Sequence, residues 1–456
     1  MTIAAKPEHL AATGIAQTSR SPIGLFAAIL RNPLTALPPE IFREKMVLAD
    51  VGGKQSLYVC DPPLIQEALV RQAGHLNKGE IVHKVLGPAL GDGLLTAEGA
   101  HWRWQRQSVA AGFQHERLRG FLPAMLAAAA DTRSRWLADG GDALDIGHEM
   151  MRTTFAIIVE TMLSGSANLD VAKVERSITD YLEPTSFVFA YSLLGMPEWL
   201  PYPGRSRARA ATAYLRESLG ELVATRRGAP TQRGDLLDML LTASDPETGR
   251  AMQDGEIVDN LLTFITAGHE TTALGLAWTL HLLARHRDVE EQVVAEIAAA
   301  TGGAPLAPEQ VMALPFTKAV FQEAMRLYPP APVITRQVEK PFQLGGLMLG
   351  EGSVIYVPIQ AVHRHETLWE EPDRFDPRRF LPEAGRARHR YAYLPFGAGP
   401  RICIGSAFAT MEAVAILASL LPAIRLEPLS TRAPEPALKV TLRPRRPLRM
   451  RARPRR

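Results

Sequence analysis

The 456-residue sequence predicts a mainly α protein with small β-sheets, an α+β class, built as one large unit. Three observations carry that expectation. Text from about residue 62 to about 330 follows a helical apolar period, and within it Asp254 to Arg285 runs without a proline. Strand-like, turn-punctuated text is confined to the region before about residue 62 and to about 333–395. Length alone would allow about three domains, yet no Gly/Ser linker, low-complexity tract or internal repeat marks a border.

Taken in order, residues 1–35 read as an N-terminal extension without a membrane anchor, because its longest apolar run, "IGLFAAIL", is too short to span a bilayer. No charged, apolar, small-residue leader is present, and Cys60 and Cys403 are the only cysteines. Both facts suit a reducing cytoplasm, with no disulfide framework. "KMVLADV" and "SLYVCD" flank "GGKQ" as a hairpin would. Two apolar segments broken by Gly or Pro, 79–95 and 181–204, read as helix-loop-helix core. In "HWRWQRQ", Trp102 and Arg106 lie four apart on one helical face.

The run Asp254 to Arg285 reads as one long helix, with Asp254 as its cap and Glu256 as a first-turn acid. Its flanks are apolar on most faces, so Glu270 and Thr271 in "AGHETT" are anomalous: a buried carboxylate and hydroxyl cost desolvation unless something satisfies or uses them. Gly268 permits local widening of the helix, beside Ala267. The plain alternative is that Thr271 bonds back to a carbonyl one turn earlier while Glu270 pairs with an arginine. Farther on, "EAMRL" puts Glu323 and Arg326 on one face, a pairing with little meaning alone.

A last helical run, "SAFATMEAVAILASLL", follows "FGAGPRICIG", which wraps Cys403 in glycines. A cysteine acting as an anionic ligand needs its thiolate stabilised, and backbone N–H groups and a helix N-terminus do this. Gly397, Gly399 and Gly405 let the backbone fold around the sulfur, Phe396 shields it, and Arg401 can reach an anionic ligand edge. Eight of the 51 basic residues, set against 48 acidic ones, fall in the last fourteen positions, so the basic character belongs to the C-terminus. No stacking aromatics accompany these arginines, and residues from about 451 to 456 are expected as a solvated tail after a last strand rather than a nucleic-acid arm.

Phe396, Gly399, Arg401, Cys403 and Gly405 match F-x-x-G-x-R-x-C-x-G, and on these residues the chain resembles the cytochrome P450 haem-thiolate monooxygenases of the bacterial soluble type. The resemblance extends through "AGHETT", "EAMRL", W-x-x-x-R at Trp102 and Arg106, and P-x-R-F at Pro377, Arg379 and Phe380. It implies a cytochrome P450 fold, with haem b between the long central helix and the cysteine loop and Cys403 as axial thiolate. It implies that Thr271 and Glu270 relay protons on the distal side next to Gly268, and that Glu323, Arg326 and Arg379 form a structural network. Arg374, in the near-duplicate "PDRF", ranks second for that partner. Trp102, Arg106, Arg336 and Arg401 are the implied propionate partners. The segments 79–95 and 181–204 become the pocket roof, with Val333, Ile334 and Ala267 on its wall.

The implied reaction inserts one atom of O2 into a lipophilic small molecule. Electrons come from a separate ferredoxin or flavodoxin with its NAD(P)H reductase, since no dinucleotide fingerprint or clustered cysteines occur in the chain. Basic text at 385–390, with Arg103, Arg117 and Arg119, is a candidate docking face for an acidic carrier; generic solvated arginines are the alternative. His101, His115 and the histidines at 363–365 lack zinc-ligand spacing. A peroxide-driven or isomerising haem-thiolate enzyme and a non-catalytic haem sensor stay in view as further classes.

Overall fold

The computed structural model describes residues 15–51, 54–138, 141–164, 170–197, 199–229, 233–245, 248–385 and 388–455. The principal helices are α1 (Pro22–Arg31), α2 (Glu80–Leu90), α3 (Gly99–Ala110), α4 (Leu122–Ala138), α5 (Ile146–Leu163) and α6 (Val171–Leu182). They continue as α7 (Thr185–Leu194), α8 (Arg205–Gly228), α9 (Asp254–Arg285), α10 (Pro315–Leu327) and α11 (Ser406–Leu420). The strands are β1 (Ala16–Arg20), β2 (Met46–Val51), β3 (Lys54–Val59), β4 (Leu76–Asn77), β5 (Leu144–Asp145), β6 (Ile334–Val338), β7 (Phe342–Leu344), β8 (Leu347–Leu349) and β9 (Val354–Val357). The last four are β10 (Ile424–Pro428), β11 (Pro436–Leu438), β12 (Leu442–Pro444) and β13 (Arg449–Pro454).

The long helix α9 has the limits its proline-free text predicts. Its cap, however, is Gln253 rather than Asp254: Gln253 N–H donates to Glu256 Oε2 at 2.9 Å, the reach-back of a capping box. Two apolar clusters meet on α9. Its C-terminal half packs with α4, α5, α10 and α11, and its N-terminal half with α2, α6 and α8. A third cluster lies under the main sheet, whose strand order is β1-β2-β3-β9-β6-β4. The hairpin expected around "GGKQ" is β2–β3, paired Val51↔Lys54 at its tip.

Two sequence expectations change. Of the N-terminal extension, residues 1–14 lie outside the described residues, while β1 pairs in parallel with β2, and α1 packs Leu25 and Ile29 against Ala190 of α7. The arginine-rich C-terminus is not a solvated tail. It forms β13, paired antiparallel with β10 and β5, and arginines alternate along it with buried Met450 and Ala452. That spacing is the two-residue period of a half-buried strand. Arg455 pairs with Glu290 and Glu291 at 2.9 and 2.7 Å.

Candidate active site

The loop before α11 closes on itself, with Cys403 N–H donating to Phe396 O at 2.9 Å. Gly399 has φ +71°, and a Cβ there would lie 1.9 Å from Leu69 O, so no side chain fits. Gly397 has φ +76°. The Gly405 N–H points to the Cys403 sulfur, and α11 begins at Ser406, bringing its positive end to the same place. Phe396 packs on the cluster of α9 and α11, and Ile404 on the one holding Phe264 and Ile265, which ties the loop to both halves of α9. The Cys403 side chain meets open space although protein surrounds it. Burial pushes its thiol up, against the Gly405 N–H and the charges of Arg106 and Lys78. Cys60, by contrast, is wholly buried, and burial raises its thiol far above the range of a reactive cysteine.

Cations gather at one side of this sulfur. The Arg401 guanidinium stacks over Trp102 at 4.0 Å, donates to Ala97 O at 2.7 Å and pairs with Glu98. Arg106, on the face of α3 that carries Trp102, feels the Cys403 sulfur. Arg336, on β6, is pushed down to about 10 by burial and by Arg401. Lys78, which the sequence reading passed over, joins them: it is 9 % exposed, and burial with Arg336 and Arg401 nearby lowers its ammonium to about 7. Glu98, also passed over, is the carboxylate that faces Lys78, Arg336 and Arg401, and its Oε1 accepts from Lys78 N–H at 2.8 Å.

Behind the loop, Glu323 and Arg326 are fully buried and joined by two bonds, at 2.7 and 2.8 Å. Arg326 also donates to the carbonyls of His363, Pro372 and Arg374, at 2.8, 2.6 and 2.9 Å. Glu323 accepts from Asp376 N–H at 2.9 Å and has Arg379 Nε at 3.6 Å. The Arg374 side chain turns outward to Glu371, so only its carbonyl enters the network.

Between Ile257 and Ala284, every residue of α9 is buried except Thr266, Ala267, Gly268 and Thr271, and Ala267 is exposed. An accessible stripe midway along a core helix marks a wall of an internal space. Thr271 donates to Ala267 O at 2.7 Å, one turn back, and Glu270 pairs with Arg443 and accepts from Thr441 at 2.6 Å. Both side chains therefore adopt the plain alternative drawn from the sequence, and the arginine comes from β12. The roof segments touch where Tyr181 donates to Val85 O at 2.6 Å. Val333 and Ile334 are half-buried, and Ile334 reaches within 3.5 Å of where a Gly397 Cβ would stand.

Of the candidate docking face, Arg103, Arg117, Arg119 and Arg390 are exposed, and Arg386 lies outside the described residues. Arg388 is a correction. It stacks on Trp369 and Phe380 at 4.3 and 4.8 Å and donates to Arg379 O at 2.5 Å, so it bolts the loop from inside. His363 and His365 are buried and hydrogen-bonded, and among the described residues no cluster of His, Cys, Asp and Glu is arranged to hold a metal ion.

The family model for cytochrome P450 matches residues 40–451. The chain belongs to the cytochrome P450 family. This P450 is 34% identical over 430 residues to cyclooctat-9-en-7-ol 5-monooxygenase of Streptomyces melanosporofaciens, covering 93% of this chain and 92% of that protein. It is 31% identical over 417 residues to pentalenene oxygenase of Streptomyces avermitilis, covering 91% of each. Among solved structures it resembles the haem domain of cytochrome P450DA, with a TM-score of 0.80, 27% identity and 90% of each chain covered. The fold is that of the P450s, the enzyme is a P450 monooxygenase, and the family's cofactor is a thiolate-ligated haem.

The residues present fit such a group. A sulfur facing internal space can meet iron, and among the described residues Lys78, Arg336 and Arg401 share the Glu98 carboxylate with Arg106 close by, a surplus of cations that suits a ligand with two carboxylates at its edge. The accessible stripe of α9 leaves room for a second wall. No helix among the described residues of this P450 is long and apolar enough to cross a membrane.

Proposed function

We propose that Cys403 would hold the iron of a haem b and that this P450 inserts one oxygen atom from O2 into a lipophilic cyclic terpene hydrocarbon or terpene alcohol. The observation that carries the reading is the Cys403 sulfur, accessible from internal space, under the Gly405 N–H and beside a surplus of cations. The named activities of the relatives, which are terpene-oxidising enzymes, support the substrate class. When bound, the haem supplies dioxygen binding and activation.

The protein's own residues do the rest. The Gly405 N–H and the start of α11 hold charge on the sulfur. Trp102, Arg106, Arg336 and Arg401 orient the cofactor by its propionates. Glu323, Arg326 and Arg379 fix residues 372–380, the approach to the cysteine loop. Thr271 holds a proton at Oγ1 on the accessible side of α9, and rotation about χ1 frees that hydroxyl from Ala267 O. Glu270 accepts and passes protons once its oxygen leaves Arg443 and Thr441. Ala267, Val333 and Ile334 exclude water from the reacting carbon.

Electrons come from an external ferredoxin or flavodoxin with a reductase, and the exposed Arg103, Arg117 and Arg119 support an acidic partner. The test is turnover of cyclic terpenes with a surrogate ferredoxin and reductase. Oxygenated product that requires O2 and reductant is expected. Product formed equally with peroxide alone, or without any reductant, overturns the oxygen-dependent reading.

A further inference from the structure

Among the described residues Lys78 is a buried cation that forms no salt bridge, and Glu98, the carboxylate near it, is shared with Arg336 and Arg401. β4 pairs antiparallel with β6 in the register Leu76↔Val338 and Asn77↔Gln337, so the chain leaves the ladder at Lys78, beside the part of β6 that carries Arg336. Gly79 follows at φ +82°, and a Cβ there would stand 3.2 Å from Gln337 Cβ, which keeps this turn pressed to β6. Like charges held close together are destabilising, and burial makes each of them dearer. Arg401 adds a third cation. Glu98 cannot balance all three, because one of its oxygens is committed to Arg401 and the other to the Lys78 backbone. A lysine kept 9 % exposed in such company has a use that the protein alone does not show.

We propose that Lys78 is a further cation of the propionate site and that its charge tunes the haem's reduction potential. The inference rests on the haem-thiolate reading of Cys403. With two propionates beside it Lys78 is held in its charged form, so Lys78, Arg106, Arg336 and Arg401 bring four positive charges, and Glu98 with the propionates takes up three. One positive charge is left over. A ferric porphyrin bound to a thiolate is neutral at its core, and the ferrous form carries one negative charge. The charge left over therefore favours the ferrous form, and the site is neutral only after the electron has arrived. Without Lys78 the ferric form is the neutral one and reduction is harder. Lys78 acts as a cofactor-binding and positioning residue, touching neither substrate nor dioxygen.

The test compares holoenzyme of wild type, Lys78→Met and Lys78→Arg, with Lys78→Gln as a second neutral variant should methionine impair folding. Two readouts apply: the ferric/ferrous potential by spectroelectrochemical titration, and haem loss to excess apomyoglobin. The neutral variants are expected to lose haem about tenfold faster and to lower the one-electron reduction equilibrium about tenfold, about 59 mV. Arginine should stay near wild type in both. A merely structural lysine would not move the potential in this charge-dependent way. Neutral variants within about twofold of wild type in both readouts, or an arginine variant displaced as far as the methionine one, overturn the proposal. A wild type whose reduced carbon-monoxide complex lacks the thiolate band sinks the Cys403 reading instead.

Discussion

Removing the Glu323 carboxylate is the sharpest structural perturbation available, because every partner it has is known and none is solvent. In Glu323→Ala, Arg326 loses two charge-assisted bonds, at 2.7 and 2.8 Å, and Asp376 N–H loses its acceptor at 2.9 Å. Arg326 keeps three carbonyl partners, so it stays where it is as a fully buried charge without a counter-ion. Breaking one side of a buried pair costs about 3–5 kcal/mol. The lost backbone acceptor adds about 1–3 kcal/mol. A native protein holds only about 5–15 kcal/mol in total. The variant should therefore fail to incorporate haem, as read by the ratio of Soret to protein absorbance, and should unfold at much lower urea. Glu323→Leu combined with Arg326→Leu removes both charges, and a double-mutant cycle should recover part of the stability. A stable, fully haem-loaded Glu323→Ala protein would refute the network's role.

Other outcomes follow from single contacts. Thr271→Ala should keep haem and substrate binding but divert reducing equivalents to peroxide, measured as hydrogen peroxide formed per NAD(P)H; unchanged coupling excludes the relay. Arg443→Met leaves Glu270 held by Thr441 alone, so its oxygen is freed more readily and coupling should rise above that of Arg443→Lys, and equal coupling in both removes β12 from proton delivery. His363 is buried and neutral, with its ring pushed down to about 3 by burial and by Arg326. Between that value and the ordinary one near 6.5 the unfolded chain binds the extra proton, so stability rises with pH in this window and this residue costs about 2 kcal/mol at pH 5 relative to pH 7. Urea titrations of wild type against His363→Asn should show the variant with a shallower acid slope, and parallel slopes contradict it. Reversing Arg103, Arg117 and Arg119 to glutamate should slow reduction by an acidic ferredoxin and remove its salt dependence; a rate indifferent to both excludes this docking face.

How much of this was legible in the sequence depends on how local the signal is. The cysteine loop could be read because its glycines, arginine and sulfur lie within ten residues, and Gly399 answers to a close approach that no other residue permits. The long helix could be read because its apolar faces and missing prolines repeat a single period. Lys78, Glu98, Thr441 and Arg443 could not. Their meaning comes from partners set beside them by strand pairing and chain return, as when the end of β4 against β6 brings Lys78 near Arg336. The arginine-rich end misled because its charge drew the eye from its period: Met450 and Ala452 alternate with the arginines, and that alternation is a strand signal. Arg388 misled for a similar reason, since composition cannot show that a guanidinium lies between Trp369 and Phe380.

Iron bound to the sulfur at position 403 underlies every role given above, and the reduced, carbon-monoxide-bound spectrum of the wild type beside Cys403→His reads that bond directly. Wild type should show the strongly red-shifted Soret band of a thiolate-ligated haem, and the histidine variant the shorter-wavelength band of an imidazole-ligated one. A wild-type spectrum already of the imidazole kind, in protein freshly loaded with haem, contradicts it.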